Sequence, residues 1–368
     1  MVTVAVDGNG ADLGPAEVAA GASLAAARGI RVLLFAAAAE IGEVADGVEV
    51  IDAPISIAKA ADPAHAVRVT PDASIVQAAR AVAAGRAQAL VSGGSTGSAL
   101  AAGLSNLKKA RGVYRPALAL PIPRPDDRPV LVLDVGANVM CRPEQLVQFA
   151  HMGSAFAQAV MGIGSPRVAL LSNGTEPTKG TDDLRQVYQR LSGEEGAGLR
   201  FIGNIEGTDV MESVADVVVT DGFSGNIALK LIEGVSSRTM KAMRMAAMRS
   251  WRAKVGGFLL APSVRDLREE IDPETTGGAY MLGLRQIGVV AHGRFSRRGF
   301  AQAIEVAARG VDQDVIARTH AALQEAGALH VRPHHRPAEP AADGVTPQQP
   351  AAGDSPTTSE QAATVAGQ

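Results

Sequence analysis

Five short segments hold the residue types able to do chemistry: Asp7-Gly8-Asn9-Gly10-Ala11-Asp12, Ser92-Gly93-Gly94-Ser95-Thr96-Gly97, Asp134-Val135-Gly136-Ala137-Asn138, Ser172-Asn173-Gly174-Thr175-Glu176 with Lys179-Gly180 beyond, and Asp221-Gly222-Phe223-Ser224-Gly225-Asn226 with Lys230 a helical turn on. Glycine lets successive backbone N–H groups converge on an anion, and a helix N-terminus adds partial positive charge. One such turn is weak evidence, because turns need glycine anyway. Five at equivalent places in the pattern of elements point to a shared pocket for a phosphate-bearing ligand. None is a P-loop, since the Gly-Lys-Ser/Thr ending is missing, and no G-x-G-x-x-G follows a first strand.

Other chemistries are not signalled. The chain has no H-E-x-x-H or C-x-x-C. Its one cysteine, Cys141 in VMCRPEQL, excludes a disulfide framework and a four-cysteine zinc site. A lone Cys near a helix start is either an activated nucleophile or a small buried hydrophobe, and its plain surroundings favour the second. No metal and no cofactor is implied.

The elements that must position these segments alternate. Strands are expected at 2–6, 30–35, 87–91, 130–133, 167–171, 200–203 and 216–220, and in GVVAH before His292. Helices are expected at about 15–29, 72–84 and 95–111, and from Pro143 and Thr181. Strands apolar throughout are buried on both faces by helices, and repeated β–helix–β units make a mostly parallel sheet. The fold class is therefore α/β, doubly wound, in three layers. Ligands in such sheets bind beyond the carboxyl ends of the strands, which is where the five segments fall, as if along one rim.

The 368 residues carry 35 Lys+Arg against 38 Asp+Glu, a net charge of −3. That balance argues against nucleic-acid binding. No apolar run is long enough to span a bilayer, and MVTVAVDGNGADLG lacks the marks of a signal peptide, so a cytoplasmic protein is expected. One domain is expected over 1–332, then a Pro/Ala-rich disordered tail over 333–368. His330, His334 and His335 lie at that junction, where intervening Arg and Pro favour a solvated linker over a metal site. Residues 236–262 read as a basic amphipathic helix. At about 100° per residue, Met240, Met243, Ala247, Trp251 and Phe258 share one face. Arg238, Lys241, Arg249 and Arg252 share the other, with Arg244 in the same acid-free stretch. This pattern suits a membrane surface, an acidic partner protein or a dimer interface.

Seven segments then meet in order: AVDGNGADLGP, VSGGSTGSALAAGL, RPALALPIP, LVLDVGANVMCRPEQLVQFAHMGS, RVALLSNGTEPTKG, RFIGNIEGTDV and ADVVVTDGFSGNIALKLIEG. Together they resemble the bacterial phosphate acyltransferase family of phospholipid synthesis (PlsX), from about residue 2 to about 325. The resemblance implies transfer of a fatty acyl group from the thioester of acyl carrier protein to inorganic phosphate. The acyl phosphate then feeds a membrane glycerol-3-phosphate acyltransferase. It also implies a fold like phosphotransacetylases and isocitrate/isopropylmalate dehydrogenases, a homodimer, and peripheral association with the inner membrane face. Three departures stand out. The usual Asp-Ala-Met-Gly-Gly-Asp-His is here 7–13, ending in Leu13; Ser172 replaces an Asn; and His-Gly-Ser becomes His292-Gly293-Arg294.

On that footing Lys179 and Lys230 hold phosphate as point charges, beside the N–H groups of the 221–226 loop. Asn138, Asn173, Ser95 or Asn226 donates to the oxyanion. Asp7, Asp134 and Asp221 either orient these donors or touch substrate. His292 is either a site acid or a satisfied interior histidine. Gly10, Ser92, Gly93, Gly94, Thr96, Gly97, Gly136, Gly174, Thr175, Glu176, Gly222, Ser224 and Gly225 complete the substrate-binding set. Two other identities remain: a coenzyme A-dependent phosphotransacetylase or phosphobutyryltransferase, and a weakly active paralogue acting as a membrane-surface scaffold.

Overall fold

A computed structural model describes residues 1–125 and 127–330. The expected tail, with His334 and His335 and the boundary at 332/333, lies outside the described residues. The strands are β1 (Thr3–Asp7), β2 (Arg31–Ala36), β3 (Val48–Asp52), β4 (Ala89–Ser92), β5 (Ala117–Arg124), β6 (Asp127–Leu133), β7 (Arg167–Leu171), β8 (Arg200–Ile205), β9 (Val217–Val219), β10 (Ala279–Leu282) and β11 (Ile287–Val290). The helices are α1 (Pro15–Ala26), α2 (Pro63–Val69), α3 (Ser74–Ala83), α4 (Thr96–Ala102), α5 (Pro143–Ala159), α6 (Asp182–Ser192), α7 (Gly222–Ala247), α8 (Trp251–Glu270), α9 (Arg297–Asp312) and α10 (Val315–Glu325).

All the strands join one sheet in the order β3-β2-β1-β4-β11-β10-β5-β6-β9-β7-β8. Alternate residues of each strand face opposite sides. Val4, Val6, Val32, Leu34 and Val91 pack with Val18 of α1, Phe149 of α5 and Phe300 of α9. Ala5, Leu33, Phe35 and Leu90 pack on the other side with Ile75 and Ala78 of α3 and Ala99 of α4. The result is the doubly wound, three-layer α/β architecture.

The sheet is not parallel throughout. β3-β2-β1-β4-β11 run one way and β6-β9-β7-β8 form a second parallel set. Antiparallel pairings β11/β10, β10/β5 and β5/β6 join them. The two sets therefore point in opposite directions. The turns after β1 and β4 leave one edge of the sheet, and those after β6, β7 and β9 leave the other. The single rim expected above is corrected accordingly. β5 escaped notice because Pro121 and Pro123 interrupt its apolar run; a register shift between Ile122 and Arg124 accommodates them.

Two helices also differ from expectation. The helix starting after Ser95 ends at Ala102 and widens over Gly103–Leu107 rather than reaching 111. Lys108 then takes φ 61°, and Ala110 N–H bonds Gly283 O, drawing the chain to the sheet. Residues 236–262 are not one helix. α7 stops at Ala247, and the Ser250 side chain accepts Ala253 N–H to begin α8. A hairpin of two helices results, and the facial arithmetic across the break does not hold.

Helix α5 lies on the second strand set through Gly153, where an added Cβ would sit 2.7 Å from Val217 Cγ1 and 2.9 Å from Leu133 Cδ2. Gly153→Ala should overpack this contact by about 1–3 kcal/mol, against about 1 kcal/mol gained in helix propensity. We expect a lower urea midpoint; one at or above wild type would show that the helix–sheet contact is slack.

Candidate functional site

On the first edge, Asp7 ends β1 and is only 3% exposed. Its carboxylate accepts the Ser74 hydroxyl at 2.6 Å, the Ser92 hydroxyl at 2.8 Å and Asn9 N–H at 3.4 Å. Burial pushes its pKa up from 3.8 to about 6, and the three donors only partly offset this. Ser92 Oγ in turn accepts Gly94 N–H at 3.2 Å. Gly10 (φ 93°) and Gly93 are sites of close approach, since a Cβ would fall 2.5 Å from Ala58 Cβ and 2.6 Å from the Phe300 ring respectively. The Ser95 side chain accepts Ser98 N–H at 3.2 Å and so caps α4. The N–H groups of Ser95, Thr96 and Gly97 find no partner among the described residues, and Thr96 and Gly97 are exposed.

On the second edge the amides are turned inward. Asp134 is fully buried and accepts Leu118 N–H (3.0 Å), Gly136 N–H (3.1 Å), Ala137 N–H (2.9 Å) and Asn138 N–H (2.7 Å), together with Asn138 Nδ2 (2.8 Å). Burial raises its pKa, and the donated hydrogen bonds oppose that rise. Asn138 Nδ2 also donates to Pro116 O at 2.8 Å. Both amide hydrogens of Asn138 are therefore committed, and it braces the turn instead of facing an oxyanion. The start of α7 is likewise closed. Gly222 N–H bonds Asn138 O, Phe223 and Ser224 N–H bond Asp221 Oδ1, and Gly225 N–H bonds Asp221 O. The Ser224 hydroxyl closes the cap on Asp221 Oδ2. The expectation that the amides of this loop hold phosphate is corrected: all four are satisfied within the chain. Gly222 and Gly225 allow the approach, since a Cβ at Gly225 would lie 2.0 Å from Asp134 O. Asn226 is exposed beside Gly136, and its side-chain amide has no partner among the described residues.

The turn after β7 is more open. Asn173 Oδ1 accepts Gly180 N–H at 2.9 Å, and Asn204 Nδ2 donates to Glu176 O at 2.9 Å. Lys179 lays its stem on Gly174, with the Glu176 carboxylate close by, and a Cβ there would meet Lys179 Cγ at 2.6 Å. The N–H groups of Asn173, Gly174 and Thr175 are unclaimed among the described residues. Ser172 Oγ is buried without a partner among the described residues.

Helix α7 links the two edges. Lys230 donates to Glu233 at 2.8 Å and is half exposed, so it is not the free cation expected. Both side chains act on His292, just past β11. Burial lowers the His292 pKa; Glu233 and Asp12 oppose this, while Lys230 and Arg294 reinforce it. His292 Nδ1 accepts Arg294 N–H at 3.1 Å, which leaves Nε2 to carry the proton of the neutral ring. The Arg294 side chain reaches Asp12 at 3.7 Å.

The recorded contacts therefore group 7–12 with 92–97 and 292–294, and 134–138 with 221–226. The turn 172–180 closes on Asn204. Ser74, Glu233 and the Asp12–Arg294 pair were not expected; of these, the i,i+3 spacing to Lys230 is the signal that could have found Glu233. Cys141 is no nucleophile, because burial, with the Asp134 charge, pushes its thiol up to about 12. Arg238, Lys241, Arg244, Arg249, Trp251 and Arg252 all lie on the α7–α8 hairpin. Among the described residues no group of three or more His, Cys, Asp and Glu is placed to hold a metal.

A family model described as fatty acid synthesis protein matches residues 2–318. The phosphate acyltransferase of Pelotomaculum thermopropionicum is 39% identical over 320 residues, covering 85% of this chain and 92% of its own. That of Heliobacterium modesticaldum is 41% identical over 331 residues, covering 88% and 96%. Among solved structures, a branched-chain phosphotransacylase from Enterococcus faecalis covers 84% of this chain and 99% of its own, with TM-score 0.56 and 15% identity. A phosphotransacetylase from Streptococcus pyogenes covers 84% and 94%, with TM-score 0.55 and 16% identity. These two share the fold.

The raised pKa of Asp7 has a definite sign in stability. The folded chain binds this proton more tightly than the unfolded chain. The contribution is therefore fully present below about pH 4 and lost as pH rises through about 6. Asp7→Asn cannot titrate. Between about pH 8 and pH 4, wild type should gain about 2–3 kcal/mol relative to that variant in denaturant titrations. A difference that stays flat would mean the carboxylate sits in a water-like environment.

Proposed function

The chain belongs to the family of fatty acid synthesis proteins that includes the phosphate acyltransferases, and from that premise we propose that it is a transferase moving a fatty acyl group from the thioester of acyl carrier protein to inorganic phosphate. A phosphate oxygen attacks the thioester carbonyl, the C–S bond breaks, and the carrier leaves as a thiolate that takes a proton from water. The product, acyl phosphate, is a substrate for a glycerol-3-phosphate acyltransferase at the membrane. A phosphate monoester has a second pKa of about 6 and that of inorganic phosphate is somewhat higher, so much of the nucleophile is already a dianion at neutral pH. A free thiol has a pKa of about 8.5 and leaves without a strong acid. Positioning and charge stabilisation are what the protein must supply.

The observation that carries this reading is the division of the strand-end amides. Those after β6 and β9 are bonded to acceptors of the chain itself, the Asp134 and Asp221 carboxylates and the Asn138 and Asp221 carbonyls, while those at Ser95–Gly97 and Asn173–Thr175 have no partner among the described residues. Lys179 forms no ion pair among the described residues, and its stem lies on Gly174 of the second open turn. In this reading the 92–97 turn takes phosphate and neutral His292, on the same edge of the sheet, offers Nε2–H to substrate, while Lys179 and Asn226 stand at the other edge and do not meet that phosphate. The apolar residues Phe223, Ile227, Leu231 and Val235 repeat along one exposed face of α7. Such a face suits a second copy of the chain.

The hairpin is the proposed contact with the membrane. No helix among the described residues is long and apolar enough to cross one. Met245, Met248 and Trp251 are exposed at the bend, beside Arg244, Arg249 and Arg252, and Phe258, Leu259 and Leu260 are exposed about two turns further along α8. An apolar tip flanked by cations fits the boundary between acyl chains and anionic headgroups. Arg252 also lies over the Trp251 ring at 5.4 Å. The same cations suit an acidic carrier protein approaching from the side.

Two predictions test this reading. Thr96 is the first residue of α4, and Ser95 before it is extended (φ −73°, ψ 141°), so proline fits there while removing one outward N–H. Thr96→Pro should raise the KM for phosphate about ten-fold, as expected for one lost charge-assisted hydrogen bond, while Lys179→Ala, at the other edge, should leave it unchanged. Assays should follow acyl-phosphate release from palmitoyl carrier protein. An unchanged KM in Thr96→Pro would remove this turn from phosphate binding, a raised KM in Lys179→Ala would put the anion at the other edge, and equal turnover of palmitoyl coenzyme A would favour a coenzyme A-dependent transacylase. Separately, Trp251→Glu should abolish flotation with anionic vesicles; flotation equal to wild type would defeat membrane contact by the hairpin.

A further inference from the structure

Beneath the Ser92–Gly97 turn lies a negative charge that no cation balances. Asp7 meets Ser74 from α3, Ser92 from β4 and Asn9 N–H from its own loop, and lies beside Phe35 of β2 in register. Among the described residues no charged side chain faces it. A buried carboxylate served only by neutral donors works against folding at neutral pH. An asparagine of the same size would avoid that penalty, so stability alone gives no reason for the charge.

Its effect on the hydroxyl of Ser92 does give one. An ionised carboxylate is an acceptor at every lone pair. Ser92 must therefore point its hydroxyl hydrogen at Asp7 Oδ2, which leaves its oxygen only able to accept. It accepts Gly94 N–H at 3.2 Å. That bond turns the Gly94 amide inward and sets the path of the next three residues, whose amides are the outward ones. We propose that Asp7 is a positioning residue for the use of phosphate: through Ser92 it holds the Ser92–Gly97 turn in the shape whose amides face outward. This rests on the assignment of phosphate to that turn. Asp7 itself never touches substrate.

The device is sensitive to protonation. A neutral Asp7 carries a hydrogen of its own and can donate it to Ser92, which frees the Ser92 hydroxyl from its one orientation and loosens Gly94. Burial lifts the carboxyl to about 6, so this change falls within the range of ordinary assays.

The test is steady-state acyl-phosphate formation by the full chain, with phosphate varied, in wild type, Asp7→Asn, Ser92→Ala and Thr96→Pro. Asp7→Asn and Ser92→Ala should raise the KM for phosphate by about ten-fold, the effect of one lost hydrogen bond, with kcat and the KM for acyl carrier protein little changed. The ratio of kcat/KM for phosphate between wild type and Asp7→Asn should shrink as pH falls from about 8 to about 5.5, because protonated Asp7 then resembles the variant. A merely structural role would lower the amount of folded enzyme and leave both the KM and that ratio flat. Should Asp7→Asn fail to fold, Ser92→Ala decides alone, since it keeps the carboxylate; an unchanged phosphate KM there overturns the proposal. If Thr96→Pro alone raises the KM, phosphate does bind at the turn and Asp7 does not position it. If Thr96→Pro leaves the KM unchanged, the assignment of phosphate to this turn fails, and the proposal with it.

Discussion

A single carboxylate with no access to water, that of Asp134, organises the second half of the molecule's strand ends. It draws one hydrogen bond from the start of β5, three from the backbone of its own turn and one from the Asn138 side chain. The turn so formed presents Asn138 O to the first amide of α7. Gly222 and Gly225 let that helix settle directly on the Asp134 turn. Burying the charge is unfavourable, and charge-assisted hydrogen bonds from fixed backbone donors offset it. Removing one donor would leave a buried acceptor short, at about 1–3 kcal/mol. The β5–β6 pairing, the turn and the helix start therefore stand together, and none can shift alone.

Asp7 occupies the corresponding place in the first strand set, yet its donors are of another kind. Asp134 is served mainly by the backbone of the turn that follows it, and that turn closes. Asp7 is served by two serine hydroxyls, one from α3 and one from β4, and the neighbouring turn keeps its outward amides. The chemistry of the donors, more than the number of glycines, decides which turn can receive an anion. Gly136 and Gly222 look as permissive in sequence as Gly97, but the Gly136 amide already serves the Asp134 carboxylate and the Gly222 amide the Asn138 carbonyl.

The same distinction marks how much the sequence disclosed. Strands at 167–171 and 200–203, the buried faces and the placing of polar turns after strands follow from apolar runs and glycine punctuation, which are local signals. The family could be read from long ordered motifs. The reversal of direction in mid-sheet was hidden, because Pro121 and Pro123 disguise β5 and because pairing with β10 joins residues far apart in the chain. The fate of each amide was hidden too. Whether Asp221 turns onto Phe223 and Ser224 or outward depends on a rotamer, and the Ser74–Asp7 bond spans 67 residues. The break between α7 and α8 was legible in principle, since Ser250 stands as a helix-capping residue just before Trp251.

What the fold leaves available matches a reaction that asks for little proton transfer. Its cysteine is held as a thiol, its buried carboxylates are locked into turns, and its half-buried histidine is kept neutral with a defined tautomer. None of these is arranged as an activated nucleophile with a base behind it. Mobile charge instead sits on Lys179, on the Lys230–Glu233 pair and on Arg294, close to turns whose outward amides are fixed by buried bonds. Preorganised donors of this kind act most strongly where charge develops on substrate oxygens, because they need not reorient as it forms. The helix carrying Lys230 also begins against Asp134 and runs on into the exposed hairpin. The exposed hairpin, proposed above as the contact with membrane and carrier, and the Lys230–Glu233 pair beside His292 thus share helix α7.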